Sequence, residues 1–234
     1  MSKIVEEHGW TPVPRSLDKV VNSRKDPQPP KAVTVDDFPP PTSPLVQTVT
    51  KYARENLPQE TFNHSMRVYY YGQAILKAHF PSFRLSPETW LLTCLLHDIG
   101  TTATNMRSTH LSFEFQGGYK ALDLLSQNGS PQAQAEAVAE AIIRHQDCGE
   151  TGMIAQLGFL IQIATLVDNT AAYAELVNTD TIRNVVGAWP RLKWSSCFAS
   201  SVRKEVELKP YSHTTKIENF AEMIEDNELM KKWE

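Results

Sequence analysis

The sequence predicts an all-α protein, and three observations carry that prediction. Beyond residue 44 apolar residues recur at spacings of three and four, no stretch of any length alternates at the period of a strand, and Ser-Pro pairs stand where helices would begin. Such a pair puts a capping hydroxyl ahead of a residue whose missing N–H costs the first helical turn nothing.

The elements follow in order. Nine of the fifteen prolines fall within residues 12–44, which argues against regular helix there. Residues 1–43 are therefore expected to form a Pro-rich arm, extended along the domain or partly disordered. Residues 44–234 read as one helical domain with a C-terminal extension. Ser43-Pro44 opens a helix with Leu45, Val49, Tyr52 and Ala53 on one face. A second starts between Pro58 and Thr61 and carries His64, Val68, Tyr71 and Ile75. The same signature at Ser86-Pro87 precedes a helix ending in His97-Asp98, and at Ser130-Pro131 a helix running to His145. Residues 113–126 form an amphipathic helix stopped by Asn128-Gly129. Residues 157–167 are an apolar run leading into Asp168, and residues 179–188 and 195–208 are helical, with Pro190 and Pro210 as breakers. The tail "EMIEDNELMKKWE" reads as a solvated helix, and Trp90, Trp189 and Trp194 read as core or interface.

Composition narrows the class. A chain of 234 residues with 41% hydrophobic content can bury a sizeable single core, and a net charge of -4 gives no reason to expect nucleic acid or an anionic membrane as a partner. Three widely spaced cysteines indicate neither a disulfide framework nor a cysteine zinc site. No apolar run approaches the roughly 20 residues a membrane span needs. The expectation is a soluble, cytoplasmic protein; the long arm and the aromatic residues leave a homo-oligomer open.

Chemistry enters at "LLTCLLHDIGTTA", residues 91–103. An apolar helix that ends on adjacent His97 and Asp98 must pair both groups, because burying an imidazole beside an unpaired carboxylate is costly. His64, His145 and Asp168 arrive from other apolar helices, and imidazole with carboxylate suits zinc, iron or manganese. Taken singly, His145 has the alternative reading of a core histidine donating to a carbonyl, and Asp168 that of an N-cap.

The segments "NHSMRV", "LLHDIG" and "ATLVDN", in that order, resemble the HD-domain superfamily of metal-dependent hydrolases. The resemblance spans roughly residues 45–185 and implies a helical bundle whose His64, His97, Asp98 and Asp168 bind one divalent metal. A second metal would need a histidine ahead of Gly117, where Phe113 and Glu114 stand instead. That leaves His145 for the surroundings of the metal or the substrate. A closer resemblance is to the cyanamide hydratase branch, on "HGWTPVPRS", "HDIGTT", "SFEFQGG", "EAIIRHQD" and "LVDNT". It implies one zinc ion, with Fe2+ or Mn2+ as alternatives, and the hydration of cyanamide, a small neutral nitrile, to urea. Asp98 is then the expected proton shuttle, His145 the group at the nitrile nitrogen, and Asn169, Thr101 or Glu114 the groups holding the amino end.

Two other readings are open. An HD phosphohydrolase acting on a nucleotide or small phosphate ester would need cations. Thr101 stands where many HDIG phosphohydrolases carry lysine, which leaves Arg67 and Arg107. An inert interaction module using its Pro-rich arm would make all four ligand residues vestigial.

Overall fold

The computed structural model describes residues 6–25 and 27–234. The bundle is built from α2 (Pro44–Asn56), α3 (Gln59–His79), α4 (Pro87–Leu96), α6 (Phe113–Gln127), α7 (Gln132–Ile143) and α8 (Gln156–Thr170). The shorter α1 (Leu17–Asn22) precedes it and α5 (Ala103–Arg107) interrupts it, while α9 (Thr179–Ala188), α10 (Trp194–Leu208) and α11 (Phe220–Glu225) close it. The serine caps act as predicted at two sites: Ser43 accepts from Val46 N–H at α2 and Ser86 from Thr89 N–H at α4. At α7 the N-cap is Pro131 and no side chain caps it.

α4 is the spine. Trp90, Leu91, Leu92, Cys94, Leu95 and Leu96 are all buried, which is why this helix has no polar face, and each large side chain removed from water contributes about 1.5–3 kcal/mol. α3 packs against both α4 and α8, so the helices carrying His64, His97 and Asp168 meet in one core. At Gly100, just past α4, a Cβ would stand 1.9 Å from the Phe113 carbonyl oxygen. Only glycine lets the chain pass so close to the start of α6.

The arm is folded onto the bundle. β1 (Pro12–Pro14) pairs antiparallel with β2 (Met153–Ala155), Trp10 Nε1–H donates to Ala133 O, and Arg15 is ion-paired with Asp147. The proline content argued against any helix in this stretch, yet α1 lies inside it. No proline stands between Pro14 and Pro27, Ser16 caps the helix by accepting from Lys19 N–H, and Leu17, Val20 and Val21 are buried. Proline forbids helix only where it stands and just before it.

The tail also departs from expectation. It was read as a solvated helix, but Ile224, Asn227 and Met230 are buried and only Phe220–Glu225 is α-helical. Its mixed charges concealed an inward face that closes over the end of α8. Among the described residues, no helix is long and apolar enough to cross a membrane.

Candidate metal centre

His64, His97 and Asp98 bring three ligand atoms within 4.8 Å of one another, all buried. His64 comes from the middle of α3. His97 is the C-cap of α4, and Asp98 follows it at φ -100°, where the chain leaves the helix for a 3-10 turn over Ile99–Thr101. The helix end therefore delivers both side chains to one point.

The histidine tautomers follow from their partners. His97 Nδ1 lies 2.8 Å from Cys94 O, and His145 Nδ1 lies 2.7 Å from Ile142 O. A carbonyl only accepts, so both Nδ1 atoms carry the proton. His64 Nδ1 likewise donates to Asp168 Oδ2 at 2.6 Å. Each neutral ring then presents a bare Nε2 lone pair.

Those lone pairs converge on a carboxylate. His97 Nε2, His64 Nε2 and His145 Nε2 lie 3.2, 3.7 and 3.9 Å from Asp98 oxygens. Both Asp98 oxygens are buried and neither has a hydrogen-bond partner. His64 Nε2 and His97 Nε2 are only 3.2 Å apart. Two bare nitrogens at that distance repel unless a cation lies between them, and the spacing suits two nitrogens on one zinc at roughly 2.0–2.1 Å each. The side chains present thus fit a divalent metal.

The titration behaviour of His64 and His145 agrees. Burial pushes His64 down to about 4, against the pull of Asp168 and Asp98. Burial and the neighbouring His97 lower His145. Burial is the largest single influence on Asp98 and opposes its ionisation, but His97, His64 and His145 together hold the carboxyl well below the usual range; burial likewise opposes protonation of His97, and Asp98 beside it turns the net shift upward.

Asp168, expected as a fourth metal ligand, is hydrogen-bonded to the Nδ1 of His64. Its oxygens receive His64 Nδ1–H, Arg67 and Arg191, the last at 2.8 Å, and both arginines are fully buried. Its backbone carbonyl, exposed by the end of α8, accepts from Arg191 Nη1 and Asn227 Nδ2. Arg191 is held in turn by Glu234 at 2.7 Å. On the other side Trp194 stacks on the His64 ring, centroids 4.2 Å apart at 13°, and its Nε1–H donates to Asn169 Oδ1. Arg191, Asn227 and Glu234 are not legible as site residues in the sequence, and Trp194 reads there as core or interface. The one signal for Arg191 was its place between two tryptophans in "WPRLKW".

The HD domain family matches this chain over residues 61–173. Cyanamide hydratase DDI2 of Saccharomyces cerevisiae is 42% identical over 214 residues, covering 91% of this chain and 93% of its own length, and DDI3 of the same yeast matches equally. The chain belongs to the cyanamide hydratase family of HD-domain proteins. A predicted HD superfamily hydrolase from an uncultured Thermotogales bacterium, known as a crystal structure, is 18% identical at a TM-score of 0.42, covering 70% of this chain and 91% of its own.

In this member of the cyanamide hydratase family the remaining expected site residues separate. His145 and Asn169 line one cavity of about 240 Å³, together with Leu17 of α1 and Phe220 and Met223 of α11. Thr101 spends its hydroxyl on Asp98 O at 2.7 Å. Glu114 is buried, pairs one oxygen with His213 Nδ1 at 2.7 Å and leaves the other without a partner. Arg67, weighed as a phosphate contact, is committed to Asp168 and to the carbonyls of Trp189 and Pro190. Arg107 is exposed on α5.

Proposed function

We propose that this chain hydrates cyanamide to urea at a single divalent metal, zinc in preference to Fe2+ or Mn2+, held by His64, His97 and Asp98 with His145 as a fourth donor. The observation that carries the reading is the pair of bare Nε2 atoms of His64 and His97, 3.2 Å apart beside an unpartnered buried carboxylate. The yeast relatives are cyanamide hydratases, which supports the substrate. Three imidazoles and one carboxylate are a donor set that zinc favours.

When bound, the metal supplies Lewis acidity that brings the pKa of a water molecule toward ~7. The protein's part is positioning and proton transfer. Asp98 takes a proton from the attacking water at one oxygen and delivers it to the nitrile nitrogen. Overall the water oxygen bonds to the nitrile carbon, both its hydrogens end on the former nitrile nitrogen, and C≡N becomes C(=O)NH2. His145 is neutral and spends its proton on Ile142 O, so it has a lone pair to offer and no acid proton; that favours the donor role over protonation of substrate. Asn169, at the cavity wall, orients the amino end of cyanamide. Glu114 is not among the residues lining that cavity, and its part is the charge it places beside His145. Thr101 holds the turn that presents Asp98. Asp168 acts through His64, fixing its tautomer and plane, as carboxylates behind metal-bound histidines do.

The cavity lining contains no lysine or arginine among the described residues, which speaks against a phosphate ester. Purified protein assayed side by side on cyanamide and on nucleoside monophosphates tests the choice. Urea formation with little phosphate release supports the reading, and phosphate release at comparable efficiency replaces it.

A further inference from the structure

His145 stands just past the end of α7, and its own helix does little to fix it. Its Nδ1 and its backbone N–H both turn back to Ile142 O, at 2.7 and 3.3 Å, so the imidazole goes where its turn goes. Residues 147–152, which carry that turn on to β2, form neither helix nor strand. The arm holds them. Arg15 Nε donates to Asp147 O at 3.0 Å, its Nη2 donates to Asp147 Oδ1, and its backbone N–H donates to Gly152 O at 3.0 Å. Ser16 Oγ donates to Glu150 Oε2 at 2.7 Å and Lys19 Nζ to Glu150 O at 3.2 Å. A Cβ on Gly149 would stand 2.7 Å from Arg15 Cζ, so the glycine leaves room for the guanidinium group. Asp147 does not depend on Arg15 for charge: Lys216 Nζ lies 3.0 Å from the same Oδ1, and Arg144 Nε lies 3.5 Å from Oδ2. What Arg15 adds is geometry, a rigid fork that takes the backbone carbonyl and the carboxylate of one residue together. That fixes the direction in which the chain leaves His145.

We propose that Arg15 is a positioning residue for His145: the arm latches the turn that presents this imidazole to the metal. The inference rests on the reading of His145 as a donor and gives the arm a part in the site. The HD match begins at residue 61, so the latch comes from outside the matched domain.

The test is a double-mutant cycle on the full chain, with zinc affinity read by competition against a chelator. Arg15→Met should weaken zinc binding about tenfold, the lower end of the effect of losing a group behind a metal ligand. In a His145→Ala background the same change should alter zinc affinity by less than about twofold, the margin to which such cycles close, because Arg15 then has no imidazole to place. Lys19→Met, which loosens the arm without touching Asp147, should leave zinc affinity and turnover unchanged. Should Arg15→Met not fold, Arg15→Lys, which keeps the cation but not the fork, carries the same cycle. An unchanged affinity in the Arg15 variant, a loss of equal size in both backgrounds, or an equal loss in Lys19→Met overturns this inference and leaves the donor reading standing. If His145→Ala alone leaves zinc affinity unchanged, the donor reading falls and this inference with it.

Discussion

His64 and His97 face each other Nε2 to Nε2 across 3.2 Å, each with its Nδ1 proton already given away, to Asp168 and to Cys94 O. The pair is therefore arranged for a cation.

Removing the metal with a chelator should lower the melting temperature, and one equivalent of Zn2+ should restore it, because the ion binds the folded chain and not the unfolded one. His97→Ala should show no such response. Differential scanning calorimetry with elemental analysis checks both.

Asp98→Asn removes the proposed proton shuttle. Turnover should fall by about 10²–10⁴-fold, the scale of a positioned acid or base, even in samples shown by elemental analysis to carry metal. Near-normal turnover in a metallated variant would remove Asp98 from the proton path.

Arg191→Met strips Asp168 of one of its two buried cations and leaves Glu234 without its guanidinium partner. Breaking a buried pair from one side costs about 3–5 kcal/mol, and loosening the carboxylate behind His64 should weaken metal affinity by roughly 10–100-fold. Urea denaturation and a competitive zinc chelator titration read the two effects separately. A destabilised variant with unchanged zinc affinity would confine Arg191 to folding.

The proposed donor role of His145 predicts that His145→Ala loses metal along with activity. Full occupancy with a large fall in turnover would return His145 to a substrate-facing role.

His213 supplies a pH dependence. Its hydrogen bond to Glu114 outweighs partial burial and raises its pKa above the ordinary 6.5. A histidine raised on folding contributes stability that is full below pH 6.5 and is lost as pH rises through the folded value. The stability difference between the protein and His213→Asn, measured by denaturant unfolding, should therefore be largest below pH 6.5 and shrink at higher pH. A difference that grows with pH would contradict the assignment.

The bundle and the His-Asp pair were legible because they rest on local signals. Ser43 and Ser86 cap the helices they announce, and an apolar helix ending on two polar groups states a problem that something must solve. The support behind His64 was not legible. Arg67, Arg191, Asn227 and Glu234 are charged or polar residues that read as solvated wherever their long-range partner is unknown, and Asp168 meets Arg67 from 101 positions away. Asp168 sits against His64 with two guanidinium groups on its oxygens, which nothing near Asp168 in sequence reveals. α1 was hidden for a different reason: proline density was taken over the whole arm, while a helix needs only one proline-free turn or two with a cap.

The most direct measurement titrates metal-free protein with Zn2+ and follows urea production from cyanamide. The account predicts no activity at the start, a linear rise, a break at one equivalent per chain and a plateau thereafter. Full activity in the metal-free protein, or a break at two equivalents, would contradict it.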